Sequence, residues 1–215
     1  EIPEIFSKAF YIAKSGRPGP VLIDITKDAQ FEKFDFSYSK CNGIRSYLPV
    51  PQINMDMIDS AAEVINNAKK PFIVYGQGVI LGEAENDLIK FIEKTGIPSA
   101  WTILGLSAMP TDHRLNVGMV GMHGNYGPNI LTNECDVLVA VGMRFDDRVT
   151  GDLSSYAKQA KIIHLEIDPA EIDKNVKADY PILGNCKESL SLLLEKVKKN
   201  SHEKWREKFN KLMKI

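Results

Sequence analysis

Cysteine is scarce in this chain: Cys41, Cys135 and Cys186 make an odd number with no Cys-x-x-Cys pair among them. That excludes a disulfide framework and a thiolate zinc site, and it fits reduced thiols in a cytoplasmic compartment. Histidine is thin as well, and no two of His113, His123, His164 and His202 stand at ligand spacing, so no metal site is expected. No apolar run reaches the roughly 18 residues of a membrane helix, because acids, bases or glycine interrupt each one. No signal peptide is expected from the residues present. The chain opens at Glu1 directly into helix-like sequence, so a true N-terminus and any targeting segment are expected to lie outside it. Neither sign of charge prevails: 27 Lys and Arg meet 28 Asp and Glu, and the bases are dispersed except near the C-terminus. A nucleic-acid footprint is therefore unsupported, and small molecules or proteins are the expected partners.

What is present is globular. With 44% hydrophobic and 26% charged residues over 215 positions, disorder is excluded. At typical domain sizes of about 100 to 150 residues the length holds one full domain and part of another.

Helical spacing over residues 1–15, a turn at Arg17-Pro18-Gly19-Pro20 and the strand-like run Val21-Leu22-Ile23-Asp24-Ile25 make an αβ unit. Residues 1–30 read as the end of a preceding domain, whose strand is expected to be weakly supported or repacked without its sheet. A linker over 31–50 follows, too aromatic for a free tether and carrying Arg45. From 51 to 199 helices and strands alternate. Helices are expected at Met55–Lys69, Glu83–Lys94, Gly127–Glu134 and Lys187–Lys198, with a short helix and loop in Gly151–Ala160. Strands are expected at Phe72–Tyr75, Ser99–Thr102, Asp136–Val141, Lys161–Asp168 and Tyr180–Leu183. The alternation predicts a doubly wound, parallel α/β sheet of about six strands with helices on both faces. Residues 200–215 read as a helical linker toward a further domain, with Trp205, Phe209 and Leu212 in one packed stripe under a basic face.

Chemistry is expected where the strands end, since open parallel sheets hold ligands outside their carboxyl ends. Gly76-Gln77-Gly78 follows a strand, but Leu81 stands where G-x-G-x-x-G needs its third glycine. The next strand ends in Thr102 rather than an acid, so the nicotinamide fingerprint fails. Four strand ends nevertheless converge: Gly76 to Gly78, Thr102 to Gly105, Gly142 to Asp147, and Glu166 to Asp168. Such a row suits an extended ligand with ribose, phosphate or ribityl hydroxyls. Glu166 or Asp168 would accept a hydroxyl, and Arg144 would meet the phosphate charge. Gly121 and Gly124 flank His123 and would let backbone approach a ligand. His123 lacks the partners of a catalytic triad, which leaves it packing or touching ligand. His164, inside a strand, reads as a satisfied core or face residue.

Four stretches carry a resemblance. GRPGPVLIDITKDAQ (16–30), GMVGMHG (118–124), GMRFDDRVTG (142–151) and KIIHLEIDPAEIDKN (161–175) closely resemble the catalytic large subunit of acetolactate synthase (acetohydroxyacid synthase), in order over nearly the whole chain. The resemblance implies the end of a pyrimidine-binding domain followed by a central domain that holds FAD in an extended pose. Carried across by position, the implied FAD contacts are Arg45, Gly76, Gly78, Thr102 and Ile103, then Val120, Gly121, Met122 and His123. They continue with Gly142, Met143, Arg144, Phe145 and Asp146, and end with Glu166 and Ile167. Asp147 and Arg148 match positions near a herbicide-binding channel mouth. Two positions depart from the family: Glu166 replaces Asp, lengthening a hydroxyl contact by one methylene, and Asn185 removes the charge of a Gly-Asp-Val motif.

The implied activity is thiamine-diphosphate- and Mg²⁺-dependent joining of two 2-oxo acids, pyruvate with pyruvate or 2-oxobutanoate, with loss of CO2, for branched-chain amino acid biosynthesis. The implied assembly is a cytoplasmic homo-oligomer with a regulatory small subunit, and no membrane. Neither the activating glutamate nor the GDG-type thiamine motif of that family occurs here, so no catalytic residue is assigned and the chain alone is expected to be inactive. Two alternatives are another thiamine-diphosphate enzyme of the pyruvate oxidase or glyoxylate carboligase type, and a purely structural or oligomerisation module without ligand.

Overall fold

Residues 1–212 are described by the structure, a computed structural model; the last part of the expected basic tail, residues 213–215, lies outside them. The chain divides into two units, Glu1–Pro51 and Gln52–Ile215.

In the first unit α1 (Ile2–Lys14) starts with proline in its first turn, where the missing N–H costs nothing. Later residues fold back onto it. Tyr47 donates from its hydroxyl to Ser15 O at 3.0 Å, its ring meets Tyr11 edge-on at 6.1 Å, and Cys41 N–H donates to Ser7 Oγ at 2.7 Å. The strand expected over Val21–Ile25 does not form. Leu22 is almost fully exposed, and no strand among the described residues takes the backbone bonds of the apolar run. Only a one-turn helix, α2 (Lys27–Phe31), and an isolated bridge between Ile44 and Tyr47 interrupt the irregular segment that follows. Phe31, Phe34, Phe36 and Tyr38 are exposed.

The second unit begins with α3 (Met55–Asn67), whose N-cap Asn54 accepts the Asp56 N–H. It continues through β1 (Pro71–Tyr75), α4 (Gln77–Leu81), α5 (Glu85–Thr95), β2 (Ser99–Trp101), β3 (Asn116–Met119), α6 (Tyr126–Thr132), β4 (Val137–Val141), α7 (Asp147–Thr150), β5 (Lys161–Glu166), β6 (Tyr180–Leu183), α8 (Cys186–Lys196) and α9 (Glu203–Leu212). All pairings are parallel, in the order β3-β2-β1-β4-β5-β6. The fold is thus α/β with a six-stranded parallel sheet.

Alternation along each central strand feeds two apolar layers. Ile73, Tyr75, Val139, Val141, Ile163 and Leu165 face one layer, closed by Ile58 and Ile65 of α3, Leu88 and Phe91 of α5, and Leu190 and Leu193 of α8. Phe72, Val74, Leu138, Ala140 and Ile162 face the other, with Leu131 of α6 and Trp205 and Phe209 of α9. Asp136 ties the two innermost strands at their amino ends, accepting from Lys69 N and Lys70 N at 2.7 and 2.9 Å. The stripe expected in the tail is a wall of the core: Trp205 Nε1 donates to Pro71 O at 2.8 Å and Phe209 stacks on Phe72.

β3 was not legible. It is a four-residue edge strand, and its register against β2 slips by one residue around Gly118, at φ +105°. A bulge of that kind breaks the alternation by which a strand is recognised.

Candidate functional site

The strand order reverses between β1 and β4, so a crevice is expected outside their carboxyl ends. Hydrogen bonds continue the sheet one step past its strands and tie the loops into a continuous row. Val120 N donates to Trp101 O, Thr102 N to Tyr75 O, Gly76 N to Val141 O, Gly142 N to Leu165 O and Gly184 N to Glu166 O, all at 2.9 to 3.0 Å. The expected stretches at Gly76–Gly78, Thr102–Gly105, Gly142–Asp147 and Glu166–Asp168 therefore stand side by side, with Val120–His123 beyond them. Arg45 belongs to the first unit, where it is exposed.

Glycine at the reversal point is required by the chain's own backbone. Gly78 N donates to Gly142 O at 2.8 Å, and a Cβ on Gly78 would lie 2.6 Å from Gly142 Cα. A Cβ on Gly76 would lie 2.7 Å from Gly142 O, and Gly142 itself is at φ +54°. The glycines around His123 are similarly committed. A Cβ on Gly121 would meet Arg148 O at 2.5 Å, and one on Gly124 would meet Met119 O at 2.4 Å. Glycine at both positions is therefore required by the chain's own backbone. Asn129 brackets Gly121, accepting from its N–H at 2.8 Å and donating to its carbonyl at 2.9 Å. Nothing in the sequence spacing singled out Asn129.

The segment after β4 alternates sides. Met143 and Phe145 are buried in the apolar layer, so any contact they make with a ligand would come from their backbone. Their carbonyls are both held: His164 Nε2 lies 2.9 Å from Met143 O, and Asn175 Nδ2 donates to Phe145 O at 2.7 Å. Arg144 and Asp146 form an ion pair at 3.3 Å, with side chains 46% and 33% exposed. Asp146 Oδ1 is buried with no hydrogen-bond partner among the described residues. Asp147 and Arg148 are exposed, 4.0 Å apart, a weak surface pair.

At the end of β5 Glu166 is buried, and its Oε1 accepts from Ile167 N and Asp168 N at 3.0 and 3.2 Å. Asp168 Oδ1 accepts from Ala170 N at 2.9 Å. Asn185, beyond β6, accepts the Lys187 N–H and caps α8, so the residue that departs from the family has a structural use. His164 is wholly buried, as its place in a strand suggested. Burial lowers its basicity, while the Met143 carbonyl and then Glu171 and Asp173 act the other way. Burial also pushes the Cys135 and Cys186 thiols up to about 12, so both are protonated and unreactive.

The row is graded. After β1, β2 and β3 it presents apolar side chains to solvent: Leu81, Ile103, Leu104, Leu106 and Met122, with Ile103 67% and Met122 58% exposed. Thr102 is buried beside them and His123 is exposed. After β4 and β5 it carries the part-exposed Arg144 and Asp146 and the buried Glu166. Such a surface suits an extended molecule with a flat apolar end and a charged, hydroxyl-bearing end. No three His, Cys, Asp or Glu among the described residues are grouped to hold a metal ion. No helix among them is long and apolar enough to cross a membrane.

Residues 58–193 match the family model of the thiamine pyrophosphate enzyme central domain. The chain is 43% identical over 203 residues to the acetolactate synthase large subunit of Corynebacterium glutamicum, covering 94% of this chain and 32% of that protein. It is 40% identical over 221 residues to the acetolactate synthase large subunit of Buchnera aphidicola subsp. Schizaphis graminum, covering 100% of this chain and 39% of that one. An X-ray structure from Mycobacterium smegmatis, described as a thiamin diphosphate-dependent enzyme, superposes with a TM-score of 0.71 at 25% identity, over 92% of this chain and 37% of that one. The chain thus spans between 32% and 39% of the length of these curated relatives.

Proposed function

Since the chain belongs to the family of thiamine pyrophosphate enzyme central domains, we propose that it is the central domain of an acetolactate synthase large subunit and holds FAD across its strand ends. The observation that carries the flavin reading is the graded row: exposed Ile103 and Met122 at one end, the Arg144–Asp146 pair and buried Glu166 at the other. Flat aromatic rings suit the first, and pyrophosphate and ribose hydroxyls suit the second. Asp146 Oδ1, buried and without a partner among the described residues, supports it, because a buried carboxylate oxygen of that kind calls for a donor, such as a ligand hydroxyl.

Arg144 would meet the pyrophosphate, Glu166 would orient a hydroxyl, and Gly76, Gly78 and Gly142 would set the floor. Asp147 and Arg148, exposed beside them, would shape a channel mouth. In the whole enzyme thiamine diphosphate, with Mg²⁺, supplies the carbanion stabilisation that joins pyruvate to a second 2-oxo acid. No group placed along this row performs that step, so the segment alone should be inactive. A cytoplasmic homo-oligomer that meets a regulatory subunit belongs to the same proposal. Identity of 40% and above to acetolactate synthase large subunits favours this parent over other thiamine-diphosphate enzymes.

Titration with FAD followed by flavin fluorescence tests the reading. Saturable quenching is expected. An unchanged signal at high micromolar FAD would favour a structural module instead.

A further inference from the structure

His164 sits on β5 with its ring against Phe145 of the apolar layer, and none of it is exposed. The Phe145 ring meets it edge-on at 4.9 Å. Packing alone would be served as well by an apolar side chain of that size. The imidazole adds a disadvantage, because its Nδ1 is buried with no partner among the described residues. What the ring contributes in return is one bond: Nε2 to Met143 O at 2.9 Å, bridging β5 to the segment that follows β4. A carbonyl can only accept, so the proton is on Nε2 and Nδ1 carries the lone pair.

That bond stands where the candidate site is shaped. Gly142, Met143, Arg144, Phe145 and Asp146 leave the reversal point with the Met143 and Phe145 side chains buried; the carbonyls of these two are held by side chains, while Gly142 O accepts from Gly78 N. Fixing Met143 O fixes which way Arg144 emerges, and with it the Arg144–Asp146 pair. Glu166 Oε2 lies 3.9 Å from the same Nε2, so the ring that holds the carbonyl before Arg144 also stands beside the acid at the end of β5.

We infer that His164 is a positioning residue of the ligand row: its Nε2–H to Met143 O bond holds Gly142–Asp146 in the course that presents Arg144 and Asp146 at the strand ends. The ligand consequence rests on the flavin reading; the conformational consequence does not.

Three variants separate the hydrogen bond from the packing. His164→Leu and His164→Met fill the space without a donor, the second more adaptably. His164→Gln carries an amide N–H that reaches the same carbonyl. Without ligand, amide exchange over 142–147 should quicken by roughly threefold to tenfold in the Leu and Met variants, as loss of one net hydrogen bond implies. α5 and α8 should keep their protection, and Gln should restore the wild-type rate. FAD affinity should fall by a similar factor with Leu and Met and recover with Gln. Unchanged exchange over 142–147 in both donor-free variants would overturn the inference, and so would Gln behaving like Leu. If the exchange result holds while the wild type fails to bind FAD, the flavin reading falls and the positioning role stands.

Discussion

At the scale of single residues, the candidate site depends on glycines that have no room for a side chain. Gly78→Ala would drive a Cβ into the Gly142 backbone, with no flexible side chain there to yield. It should cost roughly 1 to 3 kcal/mol, the range for overpacking a tight interior. Urea unfolding checks this against Gly19→Ala, where nothing lies within 4 Å of the added carbon and no comparable loss is expected. His164 gives a second prediction, with a definite sign. Burial holds its basicity below the ordinary value of 6.5, against the opposing pull of the Met143 carbonyl, Glu171 and Asp173. The unfolded chain therefore binds a proton that the folded chain resists, and the stability His164 supplies is complete above the unfolded value and lost as pH falls. Unfolding free energy should drop between pH 7 and pH 5 more steeply in the wild type than in His164→Gln. His202 has the same direction of shift but is common to both proteins. Parallel profiles would contradict the assignment.

At the scale of elements, legibility followed burial. β1 and β4 are five-residue runs buried throughout, and their composition announces them without help from neighbours. α5 is bounded by a left-handed Gly96, a stop signal that the sequence prints. β3 carried no such mark, because a bulged edge strand with glycine in it has neither length nor alternation. Val21–Ile25 erred in the other direction: its composition suits a strand, but pairing is a property of the partner, and no strand among the described residues pairs with it. In the site, the glycines and charges at the strand ends could be named in advance because type and spacing carry them. Asn129, Asn175 and His164 could not, since each acts on a carbonyl or N–H that only the folded chain brings near. α9 makes the sharpest prediction here. Phe209 is wholly buried against Phe72 and Trp205, so Phe209→Ala should lower the unfolding free energy by about 3 to 5 kcal/mol. Loss of well under 1 kcal/mol would mean that the helix is only a tether, since such burial cannot be removed that cheaply.

At the scale of the molecule, a six-stranded parallel sheet keeps its polar and glycine-bearing loops at one end, and the chain belongs to a family of central domains in thiamine pyrophosphate enzymes. Under the proposed reading this segment would hold a flavin, with bond making left to other parts of the parent enzyme. Arg144→Ala separates charge from scaffold at this scale. It should weaken FAD binding by about tenfold or more, the loss expected for a charge-assisted contact, with circular dichroism and unfolding unchanged. Equal affinity in the two proteins would remove Arg144 from the ligand's path.

The most direct test is a map of backbone amide shifts in the isotope-labelled chain as FAD is added. Shifts are expected along the strand ends, at Gly76–Gly78, Thr102–Gly105, Val120–His123, Gly142–Asp147 and Glu166–Asp168, with α5 and α8 unmoved. Shifts confined to the amino ends of the strands or to the outer helices, or none at saturating FAD, would contradict a flavin held across the row.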